Sequence, residues 1–149
     1  MLKLISQMKD LDFSRFLNVY SESVQSIHAE NALYDYLLSV FSYGGYCAVW
    51  VRDNNYVSAL RLEPYRDGFL IAGLETVPKE RGRGYATALM EALCGAVPGS
   101  AVALYSHVKL SNQPSVCVHK KCGFLQIHDY AVFLDGSVDT RSITLCKKL

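Results

Sequence analysis

The chain has 149 residues, of which 50% are hydrophobic and 19% are charged, and its formal net charge is +1. This length suits a single domain spanning residues 1–149, and the apolar content excludes a disordered chain. The balanced charge, without a basic block, argues against nucleic acid as the main partner. The N-terminal apolar run is too short for a signal peptide, and an apolar span of about 18 residues is missing, so we expect a cytoplasmic protein that does not enter membranes.

The cysteines also favour the cytoplasm. Their number, five, is odd, and none of them has C-x-x-C spacing. We therefore expect reduced thiols, mostly in the core, rather than disulfides or metal ligands, and we expect no metal site.

The first third of the chain predicts a short strand followed by two helices. Residues Leu2–Ile5 form the strand, and Asp10 or Asp12 can cap the first helix. The second helix ends at the pair Gly44–Gly45. The apolar residues at helical spacing are Phe13, Phe16, Leu17 and Tyr20 in the first helix and Leu33, Tyr34, Leu37, Leu38 and Phe41 in the second.

From residue 46 onward the pattern changes to that of strands. Strands 46–52 and 56–63 flank the turn Asp53–Asn55, which indicates a hairpin. Residues 69–76 are apolar on both faces, as in a central strand. The remaining predicted elements are a helix with its core stripe from Ala86 to Val97, ended by Pro98–Gly99, a buried strand 101–108, a short helix between Pro114 and Gly123, and a closing hairpin of strands 124–134 and 142–146.

The segment between the central strand and the next helix carries a chemical signal. Val77 to Met90 reads V-P-K-E-R-G-R-G-Y-A-T-A-L-M, a glycine-rich turn that leads into a helix. Such a turn directs free backbone N–H groups and the positive end of a helix dipole at an anion. Gly82 and Gly84 let the backbone approach phosphate oxygens because neither has a Cβ. Turns of this kind also occur as plain connections, so the turn alone does not decide its role.

Two better-known phosphate loops do not fit this turn. A P-loop requires G-x-x-x-x-G-K-[ST], and the residues from Gly82 to Thr87 have neither that spacing nor the lysine. A dinucleotide-binding fingerprint requires a third glycine where Thr87 stands and an acidic residue near Tyr105. Both interpretations are excluded.

A second pattern lies about thirty residues downstream of the turn, from Asn112 to Phe124. It reads N-x-x-S-x-x-x-H-x-K-x-G-F. Together with R-x-x-G-x-A from Arg81 to Ala86, it resembles the paired motifs of the GNAT superfamily of acyl-CoA-dependent N-acetyltransferases. The family usually has Tyr where this chain has His119. The downstream residues that match the family pattern are Asn112, Ser115, Lys121, Gly123 and Phe124.

The resemblance implies the GNAT fold, an α+β arrangement with a central mixed seven-stranded sheet, about four helices and the order βααβββαβαββ. It implies acetyl-CoA as co-substrate and transfer of the acetyl group to a primary amine of a small molecule or a protein, by direct attack on the thioester. The pantetheine arm would lie where strands 69–76 and 101–108 splay apart. A homodimer is left open. The cofactor-binding residues that the resemblance implies are Thr76, Val77, Arg81, Gly82, Arg83, Gly84, Tyr85, Ala86, Thr87, Asn112, Ser115 and Lys121.

Two residues are candidates for catalysis. The resemblance puts His119 in the place of the family's acid, where an imidazolium can protonate the leaving thiolate, although a packing role is the alternative. Glu75, beside Thr76, is the best-placed carboxylate to take a proton from the amine. It could instead pair with a cation or hold the substrate, and His107 and Glu63 are rival bases.

Two opposing hypotheses remain open. A non-catalytic acyl-CoA-binding module would keep the fold with a degenerate active site, and the replacement of Tyr by His119 supports it. A structural or nucleotide-binding α/β domain would bind no coenzyme A at all. The sequence does not identify the acceptor, but residues 21–31 are where the family shapes its acceptor site, which makes Glu22, Glu30 and Tyr34 candidates for contact.

Overall fold

The computed structural model describes all residues, 1–149. Two short 3-10 turns, Met8–Asp10 and Pro78–Glu80, accompany four α-helices and nine strands. In chain order, these elements are β1 (Leu2–Ile5), α1 (Phe13–Val19), α2 (Ile27–Ser42), β2 (Tyr46–Arg52), β3 (Asn55–Tyr65), β4 (Gly68–Thr76), α3 (Tyr85–Cys94), β5 (Ala103–Lys109), α4 (Gln113–Lys121), β6 (Leu125–His128), β7 (Ala131–Val132), β8 (Val138–Asp139) and β9 (Ser142–Lys148).

Seven of the strands form one mixed sheet in the order β1-β2-β3-β4-β5-β9-β6. Every neighbouring pair is antiparallel except β4 and β5, which are parallel. Helix α3 makes the crossover between these two strands, as a parallel connection requires. The mixed seven-stranded sheet and the four helices predicted from the sequence are therefore confirmed.

Each face of the sheet is covered by one pair of helices. Because side chains alternate along a strand, Cys47 and Val49 in β2 point to one face and Ala48 points to the other. Cys47 and Val49 pack in a core with Phe16 of α1 and Leu37 of α2. On the opposite face, Ala48 belongs to a core that contains residues of α3 and α4, namely Leu89, Met90, Leu93 and Val116.

Three expectations for the elements were wrong in detail. Helix α3 ends at Cys94 rather than at Val97, since the chain turns at Gly95, whose N–H bonds back to the carbonyl of Ala92. The predicted strand 124–134 breaks after His128, and the hairpin is made by β7 and β8 as a separate two-stranded sheet. In α2, Tyr34 and Leu38 are 38% and 45% exposed, so part of the apolar stripe faces outward.

The longest helix is α2, with 16 residues. No helix in the chain combines the length and the apolar character that a transmembrane helix needs.

Gly68 sets the contact between β4 and β5. A Cβ built on Gly68 would overlap the carbonyl oxygen of Ala103, a backbone atom at the first residue of β5. The first parallel pair, Phe69 with Leu104, follows directly. The absence of a side chain at Gly68 therefore lets the two strands approach at the start of their pairing.

We expect Gly68→Ala to destabilise the protein by about 1–3 kcal/mol, because the added methyl group forces the two strands apart. Thermal unfolding should show a melting temperature several degrees lower, at roughly 2–4 °C per kcal/mol for a chain of this size. The matched control is Gly95→Ala, where the added Cβ has its nearest neighbour at 3.7 Å and φ is −88°. Equal melting temperatures for the two variants would contradict the role of Gly68.

Candidate active site

The site lies where β4 and β5 separate. The two strands pair at only three positions, Phe69–Leu104, Leu70–Tyr105 and Ile71–Ser106. Beyond Ile71, the edge of β4 that faces β5 has no strand partner. A groove of about 640 Å³ and a smaller cavity of about 220 Å³ occupy the space between the strands and the helices α3 and α4.

A β-bulge distorts β4 at the point of separation. Ala72 pairs with Arg61 of β3, and Glu75 pairs with Ala59, so the two residues Gly73 and Leu74 oppose one residue of β3. Gly73 has φ +63°, the left-handed conformation that glycine adopts without strain. Sequence analysis did not identify this bulge, although a glycine inside an apolar strand is its usual signal.

Two side chains hold the bulge from the face that α1 covers. The hydroxyl of Tyr20 donates a hydrogen bond to the carbonyl of Gly73 at 2.6 Å. Burial raises the pKa of Tyr20 far above its usual range, so this hydroxyl stays a donor. A Cβ on Gly73 would lie 2.6 Å from a guanidinium nitrogen of Arg61, which shows that Arg61 packs directly on the bulge.

The glycine-rich turn forms the floor of the groove. Gly82 and Gly84 have φ +77° and +83°, and Gly84 is the N-cap of α3, where no side chain accepts the first N–H groups. A Cβ at either glycine would meet nothing within 4 Å, so the turn presents its backbone to open space. Ten of the twelve residues predicted to bind cofactor line this groove, namely Thr76, Arg81, Gly82, Gly84, Tyr85, Ala86, Thr87, Asn112, Ser115 and Lys121.

The other two predicted cofactor residues face away from the groove. Val77 and Arg83 line a separate polar cavity of about 670 Å³ on the far side of the turn. Arg83 forms an ion pair with Glu80 at 3.0 Å. The groove also has lining residues that sequence analysis did not predict there, including Leu74 and Pro114.

Arg81 links the turn to the segment between α1 and α2. One guanidinium nitrogen lies 3.1 Å from both carboxylate oxygens of Glu22, and the other lies 3.5 Å from an oxygen of Glu75. Burial raises the pKa of Glu75, the Arg81 guanidinium lowers it, and the Glu22 carboxylate raises it. The candidate base therefore lies at the mouth of the groove and shares one cation with a second carboxylate.

The acceptor candidates and the rival base Glu63 have different surroundings. Glu22 lines the groove, whereas Glu30 and Tyr34 line neither the groove nor the smaller cavity. Tyr34 packs edge-on against Phe13 with ring centroids 5.2 Å apart. Glu63 pairs with Arg61 and accepts a hydrogen bond from Tyr36, so structural contacts account for its carboxylate.

Helix α4 positions His119. Asn112 caps the helix by accepting a hydrogen bond from the N–H of Ser115 at 3.3 Å. The Nδ1 atom of His119 lies 2.7 Å from the carbonyl oxygen of Ser115, and the ring packs edge-on against Phe124. Because a carbonyl oxygen can only accept, Nδ1 carries the proton and Nε2 of the neutral ring carries a lone pair.

The structure disfavours the imidazolium form expected of His119. The side chain is 1% exposed, and this burial lowers the pKa of His119 while the bond to Ser115 opposes the shift. A neutral ring in this tautomer has no proton on Nε2 to donate. His119 therefore has the position of an acid in the motif, but its resting state is that of a hydrogen-bond acceptor.

Comparison with known proteins agrees with this geometry. A model of the Acetyltransferase (GNAT) family matches residues 5–124. The fold is shared with an acetyltransferase of the GNAT family from Bacillus cereus ATCC 10987 (19% identity, 99% of this chain and 97% of that chain, TM-score 0.73). It is also shared with a ribosomal-protein-alanine N-acetyltransferase from Brucella melitensis (16%, 100% and 99%, TM-score 0.75) and a spermidine N-acetyltransferase chimera from Vibrio cholerae and hSSAT (16%, 98% and 95%, TM-score 0.74). None of the curated proteins matches the chain.

The burial of His119 leads to a prediction about how the stability of the folded chain depends on pH. Its pKa is lowered in the folded state relative to the unfolded value near ~6.5, so the unfolded chain binds more protons between the two pKa values. The contribution of the neutral ring to stability is therefore complete above about pH 6.5 and is lost as the pH falls toward the folded pKa.

We expect the melting temperature of the parent to fall further between about pH 7.5 and about pH 5 than that of His119→Gln, whose amide does not titrate. Thermal unfolding at the two pH values measures this difference. A variant that loses as much stability on acidification as the parent would show that His119 is not held neutral.

Proposed function

Because the chain belongs to the GNAT acetyltransferase family, we propose that it transfers the acetyl group of acetyl-CoA to a primary amine of a small molecule or a protein. The observation that carries this proposal is the groove between β4, α3 and α4, which gathers most of the predicted cofactor residues at the point where β4 leaves β5. The groove has an exposed strand edge at one end and a helix N-terminus at the other.

These two ends suit the two parts of coenzyme A. The free edge of β4 up to Thr76 can hydrogen-bond the amide groups of the pantetheine arm in the manner of an added strand. The N–H groups from Gly82 to Ala86 meet the pyrophosphate at the positive end of the α3 dipole. Lys121, exposed at the end of α4, lines the same groove and adds a cation.

The bulge supplies a hydrogen-bond donor for the oxygen of the thioester. A bulge removes backbone groups from the regular ladder, and the groups freed here lie at Gly73 and Leu74, beside the cavity between the strands. We assign a backbone N–H of this bulge to the thioester oxygen, where negative charge develops during attack. Removal of one such donor costs about 10²–10³ in turnover in other enzymes.

The proposed roles of the two candidate catalytic residues follow from their surroundings. Glu75 lies at the open mouth of the groove with a raised pKa, which suits removal of the first proton from an ammonium group, directly or through water. His119 is kept as the residue beside the leaving thiolate. It can protonate that thiolate only after Nε2 has received a proton, because its resting tautomer has none there.

The carboxylates at the mouth favour a cationic acceptor. Glu22 and Glu75 share the single guanidinium of Arg81, which leaves one negative charge without a partner in this cluster. The Brucella and Vibrio proteins are described as acting on an alanine of a ribosomal protein and on spermidine, both of which carry ammonium groups. A peptide with N-terminal alanine and spermidine are therefore the first acceptors to test.

Two measurements test the proposed function. Acetyl-CoA at 100 times its dissociation constant should stabilise the protein by about 2.7 kcal/mol, which raises the melting temperature by several degrees. Release of free thiol from acetyl-CoA should then require one of the amines. Binding without thiol release would indicate the non-catalytic module, and no thermal shift at millimolar acetyl-CoA would contradict both interpretations.

Gly84 provides a test of the phosphate turn. We expect Gly84→Glu to weaken acetyl-CoA binding at least about tenfold, or about 1.4 kcal/mol, because a carboxylate then faces the pyrophosphate. The matched control is Gly44→Glu, since Gly44 has φ +86° and an equally open environment but lies at the end of α2, outside the groove. Titration calorimetry on both variants separates the charge effect from backbone strain, and equal affinities would remove the turn from the site.

Glu75→Gln tests the first proton transfer. We expect turnover to fall most at low pH, where an ammonium acceptor depends most on a base, while acetyl-CoA affinity stays near that of the parent. Turnover measured across the pH range in both proteins gives the comparison. A pH response equal to that of the parent would leave Glu75 with a role in binding only.

A further inference from the structure

Two histidines share one unusual property. In the whole chain, only three buried side-chain nitrogen or oxygen atoms lack a hydrogen-bond partner, and these are Nδ1 and Nε2 of His107 and Nε2 of His119. Both residues line the same cavity of about 220 Å³ between β4 and β5. Buried polar groups in native proteins are almost always paired, so three exceptions in one cavity concentrate there hydrogen-bonding capacity that no other protein group uses.

The cavity lies at the proposed reaction centre. His107 is the first residue of β5 after the last parallel pair, Ile71 with Ser106. The cavity is also lined by Gly73, Leu74 and Glu75, so it includes the bulge and the candidate base.

The two histidines reach this cavity from opposite faces of the sheet. Leu104 and Val108 belong to the core that contains α3 and α4, so His107, which alternates with them, points to the other face. There its ring packs edge-on against Tyr65 and Phe133, with centroids 5.6 Å and 5.1 Å away. His119 comes from α4, on the cofactor side. The gap between the strands thus joins the cofactor side of the sheet to the face opposite it.

The surroundings of His107 favour its neutral form. Burial lowers the pKa of His107, and the guanidinium of Arg66 lowers it further, whereas Asp139 of β8 opposes the shift. The other charged groups that line the cavity are Glu75 of β4 and Lys109 of β5. A neutral imidazole without a structural hydrogen bond has a lone pair free to accept a proton.

Acetylation of an ammonium group removes two protons from its nitrogen. The first must leave before attack, because only the free amine is a nucleophile. The second leaves after the N–C bond has formed and the nitrogen has become positively charged. The C–S bond then breaks, and the thiolate takes up one proton to give coenzyme A with a free thiol. Glu75 is assigned the first proton, so the second needs an acceptor of its own until Glu75 has passed that first proton to solvent.

We propose that His107 is the catalytic residue that takes the second proton from the acceptor nitrogen inside this cavity. This rests on the proposed acetyl transfer. The N–H bond breaks as a ring nitrogen of His107 forms its own N–H bond, and the proton then passes within the cavity to the thiolate. His107 thereby returns to its neutral form, and the net reaction releases only the first proton to solvent. Nε2 of His119, on the cofactor side, can take part in the same transfer to the thiolate.

The test compares His107→Gln with His28→Gln. The control makes the same substitution at an exposed histidine of α2, outside the cavity. The assay uses whichever of spermidine and the alanine peptide is the more active acceptor. His107→Gln should then lower kcat by roughly tenfold or more, a loss within or just below the range of about 10²–10⁴ that is typical of general bases. The KM for acetyl-CoA and the thermal shift by acetyl-CoA should match those of the control.

Chemical rescue tells a catalytic role from a structural one. In His107→Ala, added imidazole should restore a substantial part of the lost kcat, because the truncated side chain leaves space for a free base in the same cavity. This measurement also serves if the Gln variant does not fold. Unchanged kcat in His107→Gln, or a loss in His107→Ala that imidazole does not restore, would overturn the assignment.

Two further outcomes are decisive. If His119→Gln loses turnover while His107→Gln is as active as the parent, the proton acceptor lies on α4. That result overturns the role of His107 and leaves the proposed function in place. A parent chain that binds acetyl-CoA but releases no thiol with either amine would overturn the proposed function together with this inference.

Discussion

The separation of β4 from β5 is the constraint on which the site depends. The strands are in close contact at Gly68, pair at three residue positions and then separate. The sheet tolerates this gap because each strand keeps its other neighbour. β4 continues against β3, and β5 remains paired with β9 along its full length. A local loss of pairing on one side of each strand therefore creates a groove, a cavity and a free strand edge without dividing the core.

Much of the fold could be predicted because local signals and packing agree. Strand β2 was predicted with its observed ends, 46–52, since an apolar run is followed by the turn residues Asp53 and Asn54, which have positive φ. Of the two predicted caps of the first helix, Asp10 and Asp12, the structure uses Asp12, whose side chain accepts the N–H of Arg15. Where tertiary packing overrides a local pattern, the prediction was wrong. Strand 124–134 is apolar enough to be one strand, but only its first part pairs with β9.

The candidate site was predictable to the extent that it is made of backbone. A glycine turn before a helix exposes backbone N–H groups whatever the side chains around it, so the order of Gly82 and Gly84 together with the second motif located this part of the site. The glycine inside the apolar strand is a local signal of a bulge at Gly73, but which residues oppose each other there depends on the register with β3. The protonation of His119 depends on its burial and on the carbonyl of Ser115, and both are results of tertiary structure. The sequence indicated which residues meet, but not the chemical state in which they meet.

The hydrogen bond from Tyr20 to Gly73 holds the backbone of the candidate site in place independently of the protons that nearby side chains gain or lose. Burial raises the pKa of this phenol, so it keeps its proton at neutral and acidic pH, and the hydrogen bond to the carbonyl of Gly73 remains when the solution is acidified. The side chains around the cavity behave differently, since both histidines and Glu75 have pKa values shifted toward the neutral form. The backbone proposed to receive the substrate is thus indifferent to proton concentration, while the groups proposed to exchange protons with the substrate are not.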